Sequence, residues 1–174
     1  MRKFQIRSIL GILLAVGMFV SISLPAFAAT TQDVTVTATP TFLAIANAPA
    51  TYNFGVVAAS STPATAQAHF TITNGSSVPT NIAIAAVTAN WTGGVGWIHD
   101  DTGAGAAADT AGLKSSNNTG AYNIAVKNAA PNNITSNLPV ASNCTWELKL
   151  YAPSSFADGA LKTMVVRLTV TASP

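Results

Sequence analysis

His99, Asp100, Asp101 and Asp109 bring an imidazole and three carboxylates into one glycine-rich stretch. Carboxylates beside backbone and Asn or Thr oxygens are the chemistry of a calcium site, which takes roughly six to eight oxygen ligands. The run Asp100-Asp-Thr-Gly-Ala-Gly105 lacks the alternating ligands of a calcium loop, so the three aspartates are read first as solvated turn residues and only second as calcium ligands. His69, His99 and Cys144 are too scattered for a zinc site. No G-x-S-x-G or H-E-x-x-H motif is present, and Glu147 is the only glutamate, which leaves a glycosidase to pairs of aspartates. The expectation is a protein that is not an enzyme and uses no cofactor.

Trp91 and Trp97 flank Thr92-Gly-Gly-Val-Gly96, with Tyr122 further along. Exposed Trp and Tyr rings form flat platforms for sugars, so these three are the candidate ligand-binding residues of a carbohydrate-binding module. Against that stands the cost of leaving indoles in water, which favours core or loop-anchoring roles.

The elements that must position these residues have period 2 and are separated by Gly, Pro, Asn and Ser clusters, the pattern of an all-β chain. Strands are expected at Asp33 to Thr39, Phe42 to Ala46, Thr51 to Val57, Ala66 to Thr73, Thr80 to Val87, Ala121 to Lys127, Asn143 to Tyr151 and Leu161 to Ala172. Such spacing, with Asn74-Gly75 and Asp158-Gly159 as turns, predicts an antiparallel immunoglobulin-like β-sandwich of about seven to nine strands. Trp146, Leu148 and Leu150 are expected to face Met164, Val166, Leu168 and Val170, with Glu147, Lys149, Arg167 and Thr169 outward. The link Ala152 to Gly159 either crosses between sheets or closes a wide hairpin. From Thr88 to Thr119 the alternation fails in a Gly-rich loop excursion, with short strands at Gly96 to Ile98 and Ala111 to Lys114, and long loops are often functional.

Arg2, Lys3 and Arg7 precede an apolar run from Ile9 to Val20, and Leu24-Pro-Ala-Phe-Ala28 closes on a small-x-small pattern. This predicts a secretory signal peptide over residues 1–28 and a single domain over 29–174, working outside the cytoplasm. The formal charge of +2 belongs to that leader: without it, Lys114, Lys127, Lys149, Lys162 and Arg167 stand against six acids. So few bases exclude nucleic acid and an anionic membrane as expected partners. The low charge favours association, with itself or with other cell-surface proteins. Cys144 is the only cysteine, so no intrachain disulfide forms; it is read as buried, with interchain pairing the alternative. Five N-x-S/T matches, beginning at Asn74, Asn90, Asn117, Asn133 and Asn143, are the number chance supplies in so Asn- and Thr-rich a chain.

Tyr52-Asn-Phe-Gly-Val-Val57, Ser60-Ser-Thr-Pro63, His69-Phe-Thr-Ile-Thr-Asn-Gly75 and Pro79-Thr-Asn-Ile-Ala-Ile84 together resemble the turn pattern of bacterial extracellular immunoglobulin-like modules. They also loosely resemble secreted surface and fibre-forming proteins of the camelysin and biofilm-matrix kind. Trp146 to Pro153 with Phe156-Ala-Asp-Gly159 resembles the last strand pair of such proteins. The resemblance implies a surface or matrix role and carries no catalytic residue. The expected function is a secreted structural or interaction protein that self-assembles by adding a strand at an open sheet edge, with Val34 to Thr39 as the donor. With no second apolar span and no lipid-attachment cysteine, it is expected to be released or held by other proteins.

Overall fold

Apolar residues at every second position form two sheets whose inner faces meet. The structure, a computed structural model, describes residues 35, 37–128 and 130–174. The expected signal peptide lies outside the described residues, as do Asp33, Val34 and Val36 of the expected strand at Asp33 to Thr39; its described residues, 35 and 37–39, are not in a strand. Thr39–Pro174 forms one compact unit. Among the described residues there are nine strands and no helix: β1 (Ile45–Ala48), β2 (Phe70–Asn74), β3 (Thr80–Ala86), β4 (Ile98–Asp100), β5 (Thr110–Ser116), β6 (Ile124–Ala125), β7 (Asn132–Leu138), β8 (Asn143–Tyr151) and β9 (Val166–Ala172).

The larger sheet has the order β1-β2-β8-β5-β4, with β6 also pairing β5; the smaller is β7-β3-β9. All pairings are antiparallel except β4 with β5. Phe70, Ile72, Leu113, Trp146, Leu148 and Leu150 point inward from the larger sheet, and Ile82, Ile84, Ile134 and Leu138 from the smaller. Phe70 stacks on Trp146 with ring centroids 4.3 Å apart.

β8 and β9 belong to different sheets, as the expected facing requires, so Ala152 to Gly159 is a crossing, but Val170 is not among the residues packed against the core. Met164, Val166 and Leu168 pack against the core only in part. Three expectations fail. Thr51 to Val57 forms no strand: Gly55 at φ +72° turns the chain out of extended geometry, and no described strand pairs with the segment. Glu147 is fully buried rather than outward. Its side chain does leave the core face, but it meets the backbone at Ala68, whose N–H donates to Oε1 at 3.2 Å. The segment leading there runs beside β8: Thr65 N–H donates to Leu148 C=O at 2.8 Å, and Leu150 N–H to Pro63 C=O at 2.9 Å. Cys144, expected to be buried, is half-buried opposite Ile72, and burial raises its thiol pKa.

Candidate interaction site at the open side of the sandwich

The three residues expected to form a platform are divided by the larger sheet. Trp91 and Trp97 are each 7% exposed and lie in the core, their rings 5.7 Å apart. Trp91 N–H donates to Trp97 C=O at 2.8 Å, which folds the Gly-rich loop back on itself. Trp97 stacks on Phe156. Both indole N–H groups lack a partner among the described residues, so packing has taken precedence over a hydrogen bond each. Tyr122 is on the opposite face of the sheet, 5.6 Å from the ammonium of Lys149. Lys149 alternates with inward Leu148 and Leu150, so its neighbours cannot share a surface with the indoles. An exposed platform built from Trp91, Trp97 and Tyr122 is therefore not the arrangement this fold presents.

The aspartates are also separate. Asp100 Oδ1 accepts the Thr102 N–H at 2.8 Å, and Oδ2 accepts those of Ala104 and Gly105 at 3.0 and 2.9 Å. Burial opposes its charge, but the Gly105, Thr102 and Ala104 amides and the Thr102 hydroxyl outweigh it and hold the carboxyl below its ordinary range. Asp101 Oδ1 accepts the Asn128 N–H at 2.7 Å, and Asp109 Oδ1 that of Ala157 at 2.8 Å. Donors surround each carboxylate where a calcium ion requires further oxygens. No group of three His, Cys, Asp or Glu side chains is poised for a metal among the described residues. His99, beside Asp101, is buried with Nε2 2.6 Å from Val126 C=O. His69 packs edge-on to Tyr52 and Phe70.

What sequence reasoning missed is a cleft of about 860 Å³ between the sheets. Its floor is Leu113, Leu148 and Leu150; Phe54, Phe70, Trp91, Trp97, Trp146 and Phe156 supply aromatic walls, and Val166 and Leu168 of β9 the far side. Apolar side chains stand in solvent at its rim, with Leu161 77% and Val165 57% exposed beside Val56 and Tyr52. At one end Lys162 Nζ donates to the carbonyls of Gly93 and Val95 at 2.8 and 2.6 Å and meets the Asp158 carboxylate, whose other oxygen accepts the Val95 N–H. This clasp holds the Gly-rich loop against the segment leading into β9. The Lys162 hydrogen bond, with those from Val95 and Ala160, brings the Asp158 pKa down to about 2.

The cleft borders an edge of β9 that is unpaired among the described residues. Ser173 N–H donates to Pro79 C=O, and Val87 N–H to Val165 C=O, both at 2.9 Å. By antiparallel alternation the odd-numbered residues of β9 bond β3, so the amides of Val166, Leu168, Val170 and Ala172 face away from it. No described residue pairs with that side. The other edges are blunted: β1 has four residues and β4 three, and β7 is Asn-rich with two register shifts against β3. β9 has seven residues, no proline and one charge, Arg167. The sequence signal was the alternation Val166-Leu168-Val170, which reveals an inner face but not the lack of a neighbour. No protein family, curated protein or solved structure matches this chain.

Proposed function

We propose that the protein is a secreted, non-enzymatic surface or matrix subunit that self-assembles by adding a strand of the next copy to the open edge of β9. The single observation carrying this is the β9 edge that no described residue pairs with, beside an apolar cleft with an exposed apolar rim. The strand order supports a finer reading as an incomplete immunoglobulin-type sandwich. In that fold one sheet runs A-B-E-D and the other C-F-G, with an added C′ beside C in some members. β1-β2-β8-β5 and β3-β9 correspond to A-B-E-D and C-F in both pairing and chain order, while β7 stands beside β3 but follows β5 in the chain, which strand C′ does not; the place beside β9 is that of strand G.

The proposed donor is Val34 to Thr39. Val34, Val36 and Ala38 alternate with threonines, so one face offers apolar side chains to the cleft while the backbone meets the free amides of β9. Thr35 and Thr37–Thr39 make no strand pairing. The secretory leader and the resemblance to extracellular modules agree with an extracellular site of assembly.

Light scattering and electron microscopy of residues 29–174 across a concentration series test the reading. Filaments or sheets are expected, and a variant lacking Ala29 to Thr39 is expected to stay monomeric with the wild-type circular dichroism spectrum. A stable monomer at high concentration, or unaltered polymers from the truncated chain, would overturn it.

A further inference from the structure

The outer face of the larger sheet carries an arrangement that self-assembly does not use. Lys114 of β5 and Lys149 of β8 are directly opposed cross-strand partners. Like charges in that relation destabilise a sheet. The chain commits two of its few bases to it, and among the described residues neither ammonium makes an ion pair or a hydrogen bond. Instead both lie over one ring: Lys114 Nζ is 5.1 Å and Lys149 Nζ 5.3 Å from the centroid of Tyr151, and Tyr122 stands 5.6 Å from Lys149 on the other side.

The pair is held in place. A Cβ at Gly103 would lie 2.7 and 2.9 Å from Cγ and Cε of Lys114, so the glycine makes room for the lysine stem to lie across the loop. Both lysines are half-buried, which lowers the entropy lost on engaging a ligand. Neither Asp100 nor Glu147 makes an ion pair with them among the described residues. Asp100 is tied to the amides of its own loop, and Glu147, on the same face, is buried under Ala68. Next to Tyr151, Ser60, Thr62 and Gly105 border a recess of about 250 Å³.

We infer that Lys114, Lys149, Tyr151 and Tyr122 form a binding site for an acidic carbohydrate. The carboxylate or sulfate of the sugar bridges the two ammonium groups, which together offer six N–H donors. The C–H face of the ring lies on the tyrosines, and its hydroxyls reach the Ser60 and Thr62 side of the recess. The site lies on the opposite face of the sheet from the cleft, so it does not depend on the assembly proposed above.

Titration calorimetry with oligogalacturonate, a sulfated oligosaccharide, a neutral dextran oligomer and inorganic sulfate tests this. One or both acidic sugars should bind, more weakly as salt rises, and the dextran should not. Lys114→Gln and Lys149→Gln should each weaken binding about tenfold, while Lys127→Gln, a base outside the site, leaves it unchanged. Melting temperatures of the free variants at or above wild type would show that the loss is not unfolding. Equal binding of dextran, equal affinity for free sulfate, an equal effect of Lys127→Gln, or no binding of either acidic sugar would overturn the proposal.

Discussion

Phe156 lies flat against Trp97, ring centroids 5.4 Å apart and planes 17° from parallel. The phenyl ring is over a third exposed and the indole almost fully covered, so Phe156 acts as a lid on the wall of the cleft. Asp109 fixes the lid from both sides: its N–H donates to Ser155 C=O at 3.0 Å, and its Oδ1 accepts the Ala157 N–H at 2.8 Å. The aspartate that in sequence resembles a calcium ligand is thereby a brace for an aromatic contact.

Removing the lid should be visible in the indole itself. Phe156→Ala is expected to lower stability by roughly 1–2 kcal/mol, the stacking contribution together with partial burial of one ring. Tryptophan emission should shift to the red as water reaches Trp97, and thermal denaturation followed by fluorescence reads both effects. Unchanged emission would show that Phe156 does not shield the indole.

The Asp158–Lys162 clasp should make stability depend on pH in a defined direction. Asp158 ionises at about 2 in the folded protein against 3.8 ordinarily. A lowered folded value means that the contribution is complete above about pH 4 and lost as the pH falls toward 2. Asp158→Asn should melt below wild type at neutral pH, and the two melting curves should converge between about pH 4 and 2. A gap that stays constant to pH 2 would show that the carboxylate charge does not hold the loop.

The parts of the fold legible in the sequence are those in which the side chain alone decides. β8 was bounded at Asn143 and Tyr151, as found, because Trp146, Leu148 and Leu150 alternate against polar residues and turn residues stand at both ends. β7 was invisible: in Asn132-Asn-Ile-Thr-Ser-Asn-Leu138 only Ile134 and Leu138 are buried apolar residues, four apart, and the polar residues between and before them show no alternation. Thr51 to Val57 showed the opposite error, a strand pattern with no neighbouring strand to pair with. Burial of Glu147 and of the two tryptophans depends on which segment covers them, and the open edge of β9 depends on which strand is missing beside it. Those are tertiary relations that period 2 does not encode.

Glu147 offers a test of such a covered face. Burial, followed by the nearby Glu147 carboxylate, raises the Tyr122 pKa. In Glu147→Gln the burial remains and the charge goes, so the Tyr122 midpoint should fall while staying above 10.0, its ordinary value. Carbon NMR of the tyrosine ring across an alkaline titration measures it. Glu147→Ala, which leaves the Ala68 N–H without its acceptor, should cost about 1–3 kcal/mol in chemical denaturation. An unmoved Tyr122 midpoint in Glu147→Gln would place the carboxyl electrically apart from the phenol.

Two glycines with left-handed backbones separate conformational strain from steric closure. Gly93 has φ +109°, and a Cβ there would sit 1.9 Å from the carbonyl oxygen of Leu161, on the backbone that the clasp holds against the loop. Gly55 has φ +72° with nothing within 4 Å of the same position. Gly55→Ala therefore carries only the cost of a left-handed residue, about 1–2 kcal/mol. Gly93→Ala adds a collision with backbone that cannot rotate away, so it should cost roughly 2 kcal/mol or more beyond Gly55→Ala. It should also pull Thr92 from Thr163, whose mutual backbone hydrogen bonds of 2.9 Å join the loop to the segment before β9. Denaturant unfolding of the two variants, with amide exchange at Thr92 and Thr163, distinguishes the contributions. Equal losses of stability, with both amides still protected, would mean that the loop relaxes around the methyl group and that the contact between Gly93 and Leu161 is not what fixes this end of the cleft.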